Sequence, residues 1–354
     1  MSVQRRSKPI PPATLTPASR IVIAGAGSIG CYIGGRLAEA GRNVTLLTRE
    51  RLATLIAERG LRVSALDHGG AIVTSDRLEL ATDAATALAP AQLILVTVKC
   101  RDTKDMAHLI AEHAPESAIV VSMQNGVDNV GVLRAAVGGT RGIVAAMVPF
   151  NVVQTHAEGE PPRFHRATTG TIKIGTGVPG LADLLNVPGA EVGESADIDA
   201  VLWSKLLINL NNALNALSDL PLLEEFGDRR WRKLLARQMR EAFPVLRREG
   251  IALAPLEGVH PRLVARVLGW PDWLFRLAAR NMMAMDDSAR SSMWEDLQKG
   301  RPTEIQCIQG AIARRARALG IATPLTMRVM ELIRAAEAAG GAPGLTPEYV
   351  AKGT

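Results

Sequence analysis

Lys205, Asn209 and Asn212 stand at i, i+4 and i+7 within the run Leu202–Asn215. At 3.6 residues per turn that spacing puts all three on one helix face. Asn disfavours a helix interior by about half a kcal/mol relative to Ala. Several of them in an otherwise apolar helix therefore need a reason. One is a donor-rich face lining a cleft, with a lysine at one end. The other is polar bonding between packed helices, which suits Asn211 and Asn215. A second group lies downstream, Ser291-Ser292-Met293 followed by Arg301-Pro302-Thr303-Glu304-Ile305. Glu304 falls in the first turn after Pro302, where an acidic residue complements a helix dipole and Thr303 can cap. A third group precedes both. Gly25-Ala26-Gly27-Ser28-Ile29-Gly30 is a G-x-G-x-x-G, the spacing at which backbone amides receive a pyrophosphate.

A glycine loop binds a dinucleotide only in its context, strand before and helix after. Arg20–Ala24 is a short apolar run. Tyr32, Ile33, Leu37 and Ala38 recur at helical spacing up to Gly41, a C′ glycine, and a second apolar strand spans Asn43–Leu47. Gly25 then serves the tight turn, Gly27 the close approach of a pyrophosphate, and Gly30 the packing of helix on strand. The helix N-terminus offers free N–H groups to the phosphates. Residues 20 to about 125 alternate strands and helices, the pattern of a doubly wound parallel sheet. Within it, a helix covers Arg51–Arg59, a buried strand Leu93–Val98 ends at Lys99, a helix covers Met106–His113, and a strand Ser117–Val121 ends in Gln124-Asn125-Gly126. Ligands of such sheets bind beyond the carboxyl ends of the strands, so Lys99 and Asn125 point at the crevice of the glycine loop. Short segments from Gly142 to Val192, Arg163–Arg166 among them, read as further strands completing the sheet. From about Ala196 long helices follow: Ile198–Leu217, Trp231–Arg248 with a kink at Pro244, Ser288–Lys299, Thr303–Leu319 and Leu325–Ala339.

These elements predict an α/β chain, an N-terminal Rossmann doubly wound sheet followed by a C-terminal all-helical domain. The expected divisions are a disordered basic tail over 1–19, a cofactor-binding domain over 20–195 and a helical domain over 196–345. The second strand ends in Thr48-Arg49-Glu50. An acidic residue there bonds the ribose 2′-OH of NAD, and Glu50 could serve; Arg49 can instead pair with a 2′-phosphate. NADPH is the favoured cofactor. Cys31, Cys100 and Cys307 form no C-x-x-C pair and no metal spacing, and no H-E-x-x-H occurs. That fits a reducing cytoplasm and no metal. No apolar run is long enough to span a bilayer. The net charge is +6, and Arg229, Arg230, Arg232, Lys233, Arg237 and Arg240 gather on one helix. Interleaved with Leu234, Leu235, Met239 and Phe243 and lacking stacking aromatics, they read as a solvated face rather than a nucleic-acid surface.

Together, the glycine loop, Val98-Lys99, Gln124-Asn125-Gly126, Lys205 with Asn209, Ser291-Ser292-Met293 and Arg301–Ile305 resemble the ketopantoate reductase (2-dehydropantoate 2-reductase) family, from about Arg20 to Ala339. The resemblance implies a Rossmann domain and a helical domain with the active site between them. It implies Lys205 as proton donor, Asn125 touching cofactor and substrate, and Lys99 beside the cofactor. Asn209 and Ser292 would hold the substrate, and Glu304 would meet the cofactor and help arrange the site. Reducing a ketone leaves an alkoxide, which needs an acid and a positive charge nearby; a partly desolvated lysine supplies both. The chain departs from the family on the substrate side. The asparagine expected eight residues after the lysine is Ala213, with Asn212 the nearest match. Leu222 and Ala289 stand where asparagines occur, and Pro255–Asn281 is long. The expected activity is NADPH-dependent reduction of 2-dehydropantoate to pantoate, for pantothenate, by a cytoplasmic homodimer acting on a small 2-oxo acid. The rivals are a paralogous reductase of another 2-oxo acid or imine, a cofactor-binding regulator, and a glycerol-phosphate-type dehydrogenase. The last should show a basic cluster for a substrate phosphate, and none stands at the motif positions.

Overall fold

Short runs of branched apolar residues, each closed by a glycine or a polar turn, set the first half of the chain. The computed structural model describes residues 14–138, 141–278 and 289–354. It divides into two compact units, residues up to Gln124 with Asn129–Ala196, and Asn125–Asp128 with Asp197–Thr354. Of the basic tail, residues 1–13 lie outside the described residues. The part that follows is folded rather than disordered: Leu15 packs on the core, and Ser19 is buried and bonds back to Thr16.

The first unit contains β1 (Ile21–Ala24), β2 (Val44–Leu47), β3 (Leu61–Ala65), β4 (Ala71–Val73), β5 (Glu79–Ala81), β6 (Leu93–Val96), β7 (Ile119–Ser122), β8 (Ile143–Met147), β9 (Val152–Thr155), β10 (Arg163–Arg166), β11 (Ile172–Gly175) and β12 (Val192–Ser195). Eight of them form one sheet in the order β12-β11-β8-β7-β6-β1-β2-β5, parallel except where β11 meets β8. From β5 to β8 this is the Rossmann order, and it reverses between β1 and β6. Ala24 pairs with Val96, so the glycine loop and Thr97-Val98-Lys99 leave adjacent strands at the same level. Helices Ala84–Leu88, Thr103–His113 and Asn129–Val137 cover one face. Helix Ser28–Glu39 covers the other, which is why the central strands carry no polar alternation.

The segment after Gly142 departs from expectation. β8, β11 and β12 do extend the large sheet, but β9 and β10 do not. They join β3 and β4 in a second sheet, ordered β4-β3-β10-β9. The cause lies on helix Ser28–Glu39, which is buried all round. A Cβ at Gly30 would lie 2.8 Å from Ile23 Cγ2, one at Gly34 2.6 Å from Leu46 Cδ2, and one at Gly35 2.6 Å from Val63 Cγ1. Gly30 and Gly34 thus face the large sheet, and Gly35 faces the small one. A helix hydrophobic on both sides needs two layers, and the second sheet supplies the other. The helix ends in a Schellman turn, with Gly41 at φ +76° and Arg42 N–H donating to the Leu37 carbonyl at 2.9 Å.

The second unit is helical. The expected single helix after Ile198 is two, Ile198–Asn209 and Asn211–Ser218, joined at Leu210. Helix Arg229–Arg248 runs through Pro244, and Pro324–Ala339 is the other long one. The expected helix from Thr303 begins only at Gln309, and that from Ser288 at Ser292; Ser288 itself lies outside the described residues. The arginine-rich helix is not simply solvated. Arg232 is 1% exposed, stacks over Phe275 at 4.2 Å and donates to the carbonyls of Phe226, Leu268 and Trp270. Arg229 and Arg240 donate to Gly269 and Ala265. Much of this positive charge therefore clamps the 261–270 segment. No helix among the described residues is long and apolar enough to cross a membrane.

The glycines of the loop differ sharply in the space around them. Gly30→Ala should destabilise the protein by about 1–3 kcal/mol through overpacking, because its Cβ would also sit 2.6 Å from Thr97 Oγ1. Gly27→Ala should leave thermal stability within a few tenths of a kcal/mol, since its Cβ would meet only Gly25 O at 4.0 Å. Thermal unfolding of the two variants checks this ordering.

Candidate active site

Gly25, with φ +92°, makes the turn out of β1, and a Cβ there would lie 2.2 Å from Val98 Cγ1. Only glycine fits on both counts. Thr97 Oγ1 donates to the Gly25 carbonyl at 2.8 Å, Ala26 N–H to Leu47 O at 2.9 Å, and Thr48 Oγ1 to Ala26 O at 3.2 Å. The loop is thus held from both neighbouring strand ends. Gly27 N-caps helix Ser28–Glu39 without a side-chain hydrogen bond, and the helix has no acidic residue in its first turn. Its leading amides, from Ser28, Ile29 and Gly30, are left for a ligand, and Gly27 opens onto free space. These residues fit the pyrophosphate of a dinucleotide. Arg49 is exposed at the end of β2, where it N-caps the next helix. Lys99 is half-buried after β6. Gln124 Nε2 donates to the Val98 carbonyl at 3.0 Å and to Thr103 Oγ1 at 2.7 Å, and so fixes the backbone leading to Lys99.

In the second unit, Asn209 Nδ2 donates to Asn125 Oδ1 at 3.3 Å, and Asn125 Nδ2 to Glu304 Oε2 at 3.3 Å. Three residues far apart in sequence, with Asn209 and Glu304 buried, form one polar chain. The helix junction makes this arrangement. Leu210 joins the two helices, and its carbonyl also accepts from the buried Gln309 Nε2 at 2.9 Å. Glu304 does not lead a helix; it lies in the turn before Gln309, where Thr303 Oγ1 accepts from Ile305 N–H at 3.3 Å and donates to Glu337 at 2.7 Å. Ser292 opens helix Ser292–Gln298, whose cap is Ser291, accepting from Trp294 N–H at 3.1 Å. Ser291 Oγ in turn donates to the Asn212 carbonyl at 2.9 Å. Asn211 and Asn215 do bond between helices, both donating to Glu225. The two positions lacking asparagines meet each other, Leu222 N–H donating to Ala289 O at 2.9 Å.

Lys205 is half-buried one turn before Asn209. Burial pushes its ammonium down to about 8, against the opposing pull of the Glu257 carboxylate. Glu257 holds φ +47° and is followed by Gly258 at +81°, in a two-residue turn closed by Leu256 and Val259. A glutamate in the left-handed region is uncommon. The segment is tied to the lysine's helix by Ala254 N–H on Ala200 O at 3.4 Å. Sequence reasoning passed over Glu257, Gln309 and Glu225. The pair Glu257-Gly258 was the available signal, as a turn dipeptide; the other two carried none. Among the described residues no cluster of acidic, His and Cys side chains could hold a metal ion.

A lysine with this titration should react with an amine-directed reagent on a curve centred near pH 8. Acylation of the Lys205 peptide followed by mass spectrometry reads it, and a midpoint near that of an ordinary lysine, about 10.4, would contradict the burial argument.

Comparison with known proteins gives the family. The family model described as ketopantoate reductase PanE/ApbA matches residues 21–178, and that of its C-terminal part matches 197–337. A 2-dehydropantoate 2-reductase of Halobacterium salinarum is 32% identical, over 91% of this chain and 100% of its own. The crystal structure of a PanE/ApbA family ketopantoate reductase from Ralstonia eutropha JMP134 superposes with a TM-score of 0.75 at 30% identity, covering 91% of this chain and 99% of that one. A 2-dehydropantoate 2-reductase from Geobacter metallireducens gives a TM-score of 0.71 at 26% identity, over 90% and 99% of the two chains. With its glycine loop, its polar chain of Asn209, Asn125 and Glu304, and its half-buried lysine, the chain belongs to the ketopantoate reductase family, a family of oxidoreductases acting on a 2-oxo acid.

Proposed function

We propose that this protein reduces 2-dehydropantoate to pantoate with NADPH, in the cytoplasm, as the reductive step toward pantothenate. The observation that carries the reading is Lys205, an ammonium poised near neutral pH one turn from Asn209. NADPH, when bound, supplies the hydride. Gly25, Ala26, Gly27, Ser28, Ile29 and Gly30 hold its pyrophosphate on backbone amides, and Arg49 pairs with the 2′-phosphate. Lys99, Asn125 and Glu304 complete the cofactor's surroundings. Asn209, Asn125 and Ser292 donate to the 2-oxo-carboxylate head, and Asn212 meets the terminal hydroxyl. Lys205 stabilises the alkoxide as it forms and gives its proton to that oxygen. Neutral donors suit this task, because a second base beside Lys205 would compete for the proton. A second copy of the chain completes a homodimer in this reading.

The sign of the pH dependence follows. Protonated Lys205 is the active form, so the rate of reduction should hold below pH 8 and fall tenfold per unit well above it. Lys205→Ala should lower kcat by about 10²–10⁴-fold with NADPH affinity nearly unchanged. Arg49→Ala should erode the preference for NADPH over NADH, and an unchanged preference would discard the 2′-phosphate assignment. The substrate is tested by a panel of 2-oxo acids read by loss of NADPH absorbance. A site that bonds the terminal hydroxyl of 2-dehydropantoate should strongly disfavour 2-oxoisovalerate, which lacks it, and Asn212→Ala should abolish that preference. Equal use of the two acids would favour a broader reductase, consistent with Leu222 and Ala289 occupying the asparagine positions.

A further inference from the structure

Glu225 is 1% exposed in the helical core, and the chemistry above does not use it. A carboxyl in an apolar core is costly unless its bonds accomplish something. Its Oε2 accepts from Asn215 Nδ2 at 2.7 Å and from Asn211 Nδ2 at 3.4 Å, while Oε1 is enclosed without a hydrogen bond. Asn215 is itself fully buried, and its Nδ2 also donates to the Leu220 carbonyl at 2.9 Å. Both amide protons are therefore committed on one side. The Asn215 oxygen must face the other way, and there it accepts the Ser291 N–H at 2.8 Å. A side-chain amide can turn end for end, and what decides its sense is where the acceptors lie. Glu225 is such an acceptor. Ser291, held by its backbone, spends its hydroxyl on the Asn212 carbonyl and on the Trp294 amide, which starts the helix whose first residue is Ser292.

We propose that Glu225 is a positioning residue for the substrate: through Asn215 and Ser291 it sets the places of Ser292 and Asn212. This rests on the reading of those two residues as substrate ligands. The bonds of Asn215 to Glu225 and to Ser291 are buried, so loss of the anchor passes along the relay rather than dissipating into solvent. It acts on the substrate alone, because neither Glu225, Asn215 nor Ser291 belongs to the glycine loop or carries the proton.

The test compares Glu225→Ala with Glu225→Gln. Glu225→Ala should raise KM for 2-dehydropantoate about tenfold, as expected for leaving a buried donor unpaired. Its kcat should stay within about threefold and its Kd for NADPH should not change, while hydrogen exchange at the Ser291 amide accelerates. Glu225→Gln keeps an acceptor for Asn215 and should restore both KM and exchange protection. If Glu225→Ala does not fold, Ser291→Ala, which removes one oxygen at the far end, should raise KM alone by about fivefold. The proposal is overturned if Ser291 exchange accelerates with KM unmoved, or if Ser291 stays protected in Glu225→Ala. It is equally overturned if KM, kcat and NADPH affinity fall together with thermal stability. A wild-type enzyme inactive on 2-dehydropantoate would overturn the functional reading instead, and the exchange arm would still decide whether Glu225 anchors the relay.

Discussion

The close approach of helix Ser28–Glu39 to β1 is the constraint on which the first unit depends. A helix that starts one turn after a strand can aim its free amides at a ligand only if nothing larger than hydrogen separates the two. Gly30 meets that demand against Ile23, and Gly34 extends it to Leu46. The same narrowness brings β6 within reach, so that Thr97 bonds the loop carbonyl and Val98 fills the space beneath Gly25. Once the helix lies this low, its far side is still apolar, and the second sheet follows as its cover. Phosphate recognition and fold are thus consequences of one packing distance.

The second unit solves a different problem, holding an ammonium and several neutral donors among apolar helices without neutralising the ammonium. Desolvation lowers the pKa of Lys205, and Glu257 restrains the fall, so the amine is protonated at neutral pH yet ready to release its proton. The donors are amides and hydroxyls, each of which needs an acceptor of its own to keep its sense. Asn125 stands between Asn209 and Glu304, and Asn215 between Glu225 and Ser291. In both cases a carboxyl terminates the chain of bonds. The junction at Leu210 is held in the same way, by Gln309 donating to its carbonyl.

What could be read from the sequence was whatever repeats at a fixed period or sits at a fixed offset. The central strands, the glycine loop and the helix after it were legible because period, turn and cap agreed. The second sheet was not, because β10 as Arg-Phe-His-Arg alternates like any half-exposed strand, and alternation says nothing about which sheet a strand joins. The break at Leu210 was hidden by an apolar period that continues across it. Arg232 looked solvated because carbonyl partners leave no mark in sequence. Glu304 stands in a turn rather than at the expected helix start, since its partners, not its secondary structure, give it its position. Glu225 could not be found at all, being the second of two glutamates at what reads as an ordinary helix start.

Isotope transfer measures hydride delivery to the keto carbon directly. The enzyme is incubated with 2-dehydropantoate and NADPH carrying deuterium at the transferable position of the nicotinamide, and the product is analysed by mass spectrometry and NMR. The expected product is pantoate with one deuterium, bound to the carbon that bears the new hydroxyl. Consumption of NADPH without deuterium at that carbon, or no product from 2-dehydropantoate while another 2-oxo acid or an imine is labelled, would contradict it.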